Sequence, residues 1–123
     1  AVRESPPRVA ELLTRAEAGT RELSKVPSVI APGLAELQWA TLCALRGRHE
    51  EALRHARTAH LQLRDMLFAH GARYIEGLVQ GGTEGQAKRQ ETRAWLEGQG
   101  FRNPERALRI LVPGAELLHA RFA

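Results

Sequence analysis

The stretch LAELQWATLCALRGRHEEALRHARTAHLQL, residues 34–63, decides the fold of this chain. In both of its halves apolar residues recur at three- and four-residue spacing, which places them along one stripe of a helix. Gly47 separates the halves, and glycine readily takes the left-handed conformation that ends a helix. Glu50 and Glu51 follow, and carboxylates in a first turn interact favourably with the positive end of the helix dipole. The stretch therefore predicts two helices joined at residues 46–48.

Small side chains stand opposite large ones across this predicted helix pair. Ala52, Ala56 and Ala59 allow the second helix to approach the first closely, and Trp39 supplies bulk on the first. The spacing resembles one tetratricopeptide (TPR) repeat, a helix pair of about 34 residues, with Ala40 in place of the usual glycine. The residues that match the repeat are Gly47, Ala52, Leu53 and Ala59. This resemblance implies an antiparallel pair that usually stacks with others in an array.

A degenerate copy of the pattern follows in the second half of the chain. We predict a break at 70–72, a short helix that ends at Gly81 and Gly82, and a long helix over 84–98 with Thr83 as its N-cap. A shift of 35 positions aligns this second pair with the first. The aligned residues are Trp39 with Tyr74, Cys43 with Leu78, Gly47 with Gly82, Ala52 with Ala87, Ala59 with Ala94, and Leu61 with Leu96.

The flanking segments complete an all-α architecture. Asn103 followed by Pro104 is a helix start signal, and the tail at 115–123 is expected to lie over the open end of the stack. Two interpretations stay open for residues 28–33: a loop packed by its own side chains, or a helical first turn that opens at Ser28. We predict one TPR-like α-α superhelix of about six helices over 1–123: a leading helix at 8–26, a pair at 33–67, a degenerate pair at 69–99 and capping helices at 103–123.

Composition bounds the class of protein. The net charge is +4, with 18 Lys and Arg against 14 Asp and Glu, and the arginines usually lie within four residues of a glutamate. This pattern is typical of a solvated surface with many salt bridges rather than a basic stripe. No apolar run is long enough to span a membrane and no leader is visible, so we expect a cytoplasmic protein. Because the chain starts with Ala and a TPR-like pair rarely stands alone, we also expect a fragment of a larger protein.

Three runs in the second half resemble a known protein family. They are GGTEG at 81–85, AWLEGQGFRNPER at 94–106 and VPG at 112–114. They are similar to the extreme C-terminus of large bacterial signalling proteins that join a serine/threonine kinase to an AAA-type ATPase and a TPR-like array. The resemblance covers residues 8–114, and family members commonly stop just after the Pro-Gly, whereas this chain continues for nine residues. It implies a helical scaffold that docks proteins for catalytic domains lying upstream.

The histidines and the cysteine, residue types that often bind metals or act in catalysis, do not have the spacing that these functions require. His55 and His60 lie five positions apart, whereas two metal ligands on one helix face lie four apart, so we predict no metal and no cofactor. A pair of Cys43 and His60 on facing helices has no Asn or Asp placed to orient the ring, and Cys43 is expected to be buried. The glycines at 81–85 could hold an anion at a helix N-terminus, but they are better explained as a helix end and a helix start. We therefore predict that the chain is not an enzyme.

The favoured hypothesis is a non-catalytic protein-interaction scaffold of a signalling or regulatory protein. Its partner would be a protein or peptide, including other domains of the same polypeptide, and the first helix of each pair would line the concave side. The partner-binding residues predicted by this register are Gln38, Thr41 and Leu45 in the first pair and Arg73, Glu76 and Gln80 in the second. The alternative is a small basic nucleic-acid-binding regulator that uses Arg46, Arg48, Arg54, Arg57 and Arg64, with the last three on one helix face. The partner's identity and the oligomeric state stay open.

Overall fold

The computed structural model describes residues 6–64 and 67–122. These two ranges contain seven α-helices and no strand, which confirms the all-α prediction with one helix more than expected. No helix in them is both long enough and apolar enough to pass through a membrane. The helices are α1 (Pro6–Ser24), α2 (Ala31–Leu45), α3 (His49–Gln62), α4 (Leu67–Gln80), α5 (Gly82–Gly98), α6 (Pro104–Leu111) and α7 (Ala115–Phe122).

Helices α1 to α5 pack antiparallel, each chiefly against its neighbour in sequence. Residue pairs in contact between neighbouring helices run in opposite order along the two helices, which fixes the direction. These pairs are Glu17–Arg46 and Thr20–Gln38 between α1 and α2, Cys43–Glu51 and Glu36–His55 between α2 and α3, Arg57–Glu76 and His60–Ala69 between α3 and α4, and Arg73–Glu91 and His70–Trp95 between α4 and α5. Helix α2 also touches α4, and α7 returns to touch both.

The α2–α3 pair forms, but it ends at Gln62 rather than at the predicted residue 67. Gly47 follows the end of α2 with a φ of 78°, a backbone conformation that favours glycine. Ala52, Ala56 and Ala59 are fully buried on the inner face of α3. Their lack of side-chain bulk lets the two helices approach closely, so this pair forms the centre of the core.

Neither interpretation of residues 28–33 is fully correct: the loop is not packed by its own side chains, since Val29 is 98% exposed, and the helix begins at Ala31 rather than at Ser28. Helix α1 ends at Ser24, and α2 begins at Ala31 with Pro32 in its first turn, where a missing N–H breaks no helical hydrogen bond. Gly33 lies against Leu63, and a β-carbon added at Gly33 would stand 2.7 Å from Leu63 Cγ. The absence of a side chain at position 33 therefore lets the start of α2 pack on the end of α3.

The predicted break at 70–72 is wrong. Helix α3 already ends at Gln62, and α4 runs from Leu67 through Gly71 without interruption. A β-carbon at Gly71 would lie 3.0 Å from Val112 Cγ2, so this glycine is needed for the close approach of the segment after α6. In the sequence such a glycine resembles a helix end, because its packing partner is far away along the chain.

Thr83 is not the N-cap of α5. The helix starts at Gly82, and Gly81, with a φ of 67°, occupies the cap position without a side-chain hydrogen bond. Gly77 of α4 and Gly85 of α5 meet across this turn, and a β-carbon on Gly77 would stand 2.6 Å from the Gly85 carbonyl oxygen. The glycines of the 81–85 run thus make a tight turn and a close helix crossing.

The register predicted for the second helix of the second pair is also wrong. Ala87 and Ala94, aligned with buried alanines, are exposed. Three residues join α2 to α3, whereas Gly81 alone joins α4 to α5, so the pattern of α5 begins two positions earlier. The positions that correspond in burial are Ala52 with Gly85, Ala59 with Thr92, and Leu63 with Leu96.

Helix α6 starts as predicted, and α7 completes the core. The Asn103 side chain accepts a hydrogen bond from the Arg106 backbone N–H at 3.1 Å, with Pro104 at the first helical position. The chain then turns at Gly114, which has a φ of 91°. Helix α7 buries Leu118 and contacts α2 and α4, so the predicted position of the tail over the open end of the stack is wrong.

Candidate functional site

The three predicted partner-binding residues of α2 are engaged within the molecule. The Gln38 side-chain oxygen accepts a hydrogen bond from the Thr20 hydroxyl of α1 at 2.9 Å. Thr41 is buried below the turn before α7, since a β-carbon at Gly114 would lie 3.2 Å from its methyl group. Leu45 remains partly exposed, between α1 and α7. Gln38 is also partly exposed, so Thr41 is the one residue of the three that a partner cannot reach.

The predicted residues of α4 lie on a different surface, towards α3 and α5. Arg73 pairs with Glu91 of α5 at 3.4 Å, and Gln80 bonds to Glu84 of α5 at 2.7 Å. Glu76 lies between the two neighbouring helices and is 5% exposed. The structure therefore does not bring the six predicted residues onto one surface, because those of α4 contact α3 and α5 whereas Gln38 contacts α1.

Glu76 is the centre of a buried cluster of charges. Its Oε1 lies 2.5 Å from Lys88 Nζ and 3.7 Å from Arg73 Nη1, and its Oε2 lies 3.8 Å from Arg57 Nε. Lys88 Nζ also donates to the Gln80 side-chain oxygen at 2.5 Å. A buried carboxylate is costly unless opposite charges surround it, and here cations come from α3, α4 and α5. The cluster therefore joins three helices.

A groove with apolar walls lies between α1 and α7, with Leu45 of α2 as its floor. We call it the α1–α7 groove, and its lining residues are Val9, Leu13, Leu45, Leu117, Ala120 and Arg121. No Cα atoms of α1 and α7 approach within 8 Å of each other, so the walls stand apart. The free volume is about 280 Å³, just below the range of roughly 300–1,000 Å³ that is typical of small-molecule sites.

The walls of the groove expose apolar side chains to solvent. Val9 is 38% exposed and Leu117 is 59% exposed. Sequence reasoning missed this surface, although α7 carried a signal: Leu117 and Leu118 are adjacent, and neighbours on a helix point about 100° apart. Only Leu118 reaches the core, which leaves Leu117 for the groove.

One end of the groove carries a positive charge. Arg121 Nη1 donates a hydrogen bond to the Leu45 carbonyl oxygen at 2.8 Å, beside the C-terminus of α2. This contact satisfies a carbonyl that has no partner within its own helix and places a cation at the negative end of the helix dipole. The six lining residues include no carboxylate.

A polar cluster fixes α7 on its other side. The Tyr74 hydroxyl and His119 Nε2 are 2.7 Å apart, and Arg93 Nη2 donates to the same hydroxyl at 3.4 Å. This arrangement fits a neutral imidazole whose Nε2 accepts a hydrogen bond from the Tyr74 hydroxyl. Burial lowers the pKa of His119 below its ordinary value of 6.5, and the nearby Arg89 and Arg93 lower this pKa further.

No catalytic arrangement is visible in the described parts of the chain. Burial raises the pKa of the Cys43 thiol, with a smaller contribution from Glu51, so the thiolate is disfavoured. His60 bonds to the Ala69 carbonyl oxygen at 3.2 Å and is not paired with the thiol. Residues 6–64 and 67–122 contain no group of three or more His, Cys, Asp or Glu that could hold a metal ion.

The two tryptophans are half-buried and lie at the borders between helices rather than at the centre of the core. The Arg21 guanidinium lies 5.7 Å from the Trp39 ring, which also faces His55. Trp95 stacks on His70 with ring centroids 3.5 Å apart. Both tryptophans join neighbouring helices, and neither lines the groove.

The arginines of the nucleic-acid alternative do not form one free surface. Arg46 is paired with Glu17 at 2.6 Å, and Arg57 lies near Glu76. Arg64 follows the end of α3, so it is not on a helix face with the others.

Comparisons of the chain with protein families, with curated proteins and with solved structures find no match.

Proposed function

We propose that this chain is a non-catalytic protein-interaction module and that its partner binds in the α1–α7 groove. The observation that carries the proposal is the pair of separated, solvent-exposed apolar walls, represented by Val9 and Leu117, over the partly buried floor residue Leu45. Apolar side chains that converge on one groove and stay in water are characteristic of a binding surface. The groove has no residue arranged for catalysis.

Two further features support this proposal. Antiparallel neighbouring helices and the contact between α2 and α4 are what a TPR-like stack requires. The runs at 81–85, 94–106 and 112–114 resemble the C-terminal helical part of bacterial kinase–ATPase signalling proteins. A scaffold that acts in the cytoplasm on domains of a signalling protein fits both features.

Nucleic-acid binding has less support. Of the five arginines predicted to bind nucleic acid, Arg46 and Arg57 lie beside carboxylates, and a phosphate would have to displace these carboxylates. A gel shift with duplex DNA and with RNA at low salt separates the two functions, because phosphate contacts weaken steeply with added salt. We expect no salt-dependent shift.

Site-specific photo-cross-linking tests the proposed function. A benzoylphenylalanine replaces Leu117 in the groove, and the same residue replaces Leu61, which is 65% exposed on α3, as the matched control. We expect the benzoylphenylalanine at position 117 to form one discrete covalent adduct with a partner protein, and the benzoylphenylalanine at position 61 to form none. Equal labelling from both positions, or none from position 117, contradicts the proposal.

A further inference from the structure

The two walls of the α1–α7 groove present apolar side chains at helical spacing. Val9 and Leu13 lie four positions apart on α1, and Leu117 and Ala120 lie three positions apart on α7. Each pair forms a short ridge along its own helix. Because the walls are separate and Leu45 lies between them, the groove leaves room for apolar side chains between α1 and α7.

The free volume favours side chains over a small molecule. A space of about 280 Å³ with one charged lining residue, Arg121, offers few polar groups to orient a metabolite. It suits the apolar side chains of a helix that lies across the groove, with anchors at positions i, i+3 or i+4, and i+7.

The positive charges at the Arg121 end of the groove indicate which charged group a bound helix should carry beside its apolar anchors. Arg121 lies beside the C-terminus of α2, and a β-carbon at Gly47 would be 3.2 Å from Arg121 Nη2. Arg48, next in sequence, is exposed, and none of the ion pairs among the described residues includes it. An occupant with a carboxylate at this end gains a charge-assisted hydrogen bond, whereas a lysine there is repelled.

We propose that the α1–α7 groove binds an amphipathic helix of a partner protein, with apolar residues along one face and a carboxylate at the end that meets Arg121. This inference rests on the proposed function and adds the chemistry of the partner. The apolar anchors fill the space above Leu45, and the carboxylate binds the guanidinium that also caps α2.

Selection from a peptide library tests the inference with a defined probe. The phage-displayed library consists of helical peptides with Leu or Ile fixed at i, i+3 or i+4, and i+7, and with Glu, Lys, Gln or Ser varied at the flanking positions. Selection uses the full chain, with counter-selection against Leu117→Asp. We expect enrichment of Glu at one end of the peptide. Binding of the enriched peptide, measured by fluorescence anisotropy, should weaken about tenfold or more in Leu117→Asp and be unchanged in Leu61→Asp.

Charge reversal at Arg121 separates the inference from the proposed function. In Arg121→Glu we expect the selected end residue to change from Glu to Lys, whereas Arg106→Glu, an exposed arginine of α6, should leave the preference unchanged. Apolar peptides that depend on Leu117 but show no charge preference, or prefer Lys, overturn the inference and leave the proposed function standing. Failure to enrich any Leu117-dependent peptide overturns both. Concentration-dependent dimerisation that is lost in Leu117→Asp identifies a second copy of this chain as the occupant and also overturns the inference.

Discussion

Glycines in this chain have different roles that sequence position alone does not distinguish. Gly77 and Gly85 are required where α4 crosses α5, because any side chain would meet the opposite backbone. Gly19, in the middle of α1, has no heavy atom within 4 Å of a β-carbon placed on it. The first two residues permit a contact, and the third only adds flexibility to the unfolded chain.

Alanine substitution separates these roles. We expect Gly77→Ala to lower the free energy of unfolding by about 1–3 kcal/mol, because the new methyl group cannot avoid the Gly85 carbonyl oxygen. Gly19→Ala should raise the free energy of unfolding by about 0.5–1 kcal/mol through better helix propensity. Urea denaturation of both variants measures the difference. Equal effects would mean that the α4–α5 crossing relaxes to accommodate the methyl group.

The buried carboxylate of Glu76 makes a second prediction at this scale. Glu76→Gln leaves Lys88 and the nearby Arg57 and Arg73 without their shared anion, and because these cations reach solvent we expect a loss of about 1–3 kcal/mol in unfolding free energy. Glu22→Gln, at an exposed pair with Lys25, should change stability by less than about 1 kcal/mol. Chemical denaturation compares the two variants. A small effect at Glu76 would indicate that water screens the cluster.

Among the elements, α7 is held by a group that titrates. His119 faces Tyr74 of α4, Arg89 and Arg93 of α5, and Glu105 and Arg109 of α6. Burial and the neighbouring arginines lower the pKa of His119 in the folded protein, so the unfolded chain binds the proton more strongly. The stability that α7 gains from a neutral His119 is therefore fully present above about pH 6.5 and decreases as the pH falls below it.

Melting temperature as a function of pH tests this account. We expect the melting temperature to fall on acidification from about pH 7 to about pH 5, and His119→Gln to reduce the size of that fall. His70, whose pKa is lowered chiefly by burial, is expected to contribute to the fall that remains. A pH profile identical in wild type and His119→Gln would assign the whole dependence to other groups.

The helices differ in how well their bounds can be predicted from the sequence. Helix α3 and the start of α6 follow from the sequence, because periodicity, Gly47 and Asn103 are local signals. The start of α4 does not, because Gly71 serves a contact with Val112, which is distant in sequence. The register of α5 is equally hidden, because the length of a turn changes every following position.

The candidate site is harder to predict than the fold. The sequence predicts that Thr41 and Leu45 share one side of α2, but nothing in it reveals that the turn before α7 covers Thr41 and that α7 borders Leu45. Arg73 and Glu76, predicted to line a groove, instead pair with α5 and with each other. A site formed by elements far apart in sequence depends on topology, which the repeat pattern does not determine.

At the scale of the whole molecule, α1 has the fewest neighbouring helices. It packs on α2 alone, and apart from Thr20 its described side chains are exposed or half-buried. Few buried contacts mean a low local free energy of opening. We therefore expect backbone amides in the middle of α1 to exchange hydrogen faster than those of α2 and α4, in native-state exchange followed by mass spectrometry. Equal protection across α1 and α2 would show that they unfold as one unit.

Leu45 belongs to two environments at once, since it packs on the core and also forms the floor of the α1–α7 groove. A ligand that contacts Leu45 shields the boundary between α1, α2 and α7 from water. Because this boundary exists only in the folded protein, the ligand binds the native state and not the unfolded chain. Mass action then makes every ligand a thermal stabiliser, by about 2.7 kcal/mol at a hundredfold excess over Kd. A thermal-shift screen of chemically diverse candidates can therefore find the natural ligand by the rise in melting temperature that it causes. Leu117→Asp, in which we expect no such rise, is the negative control.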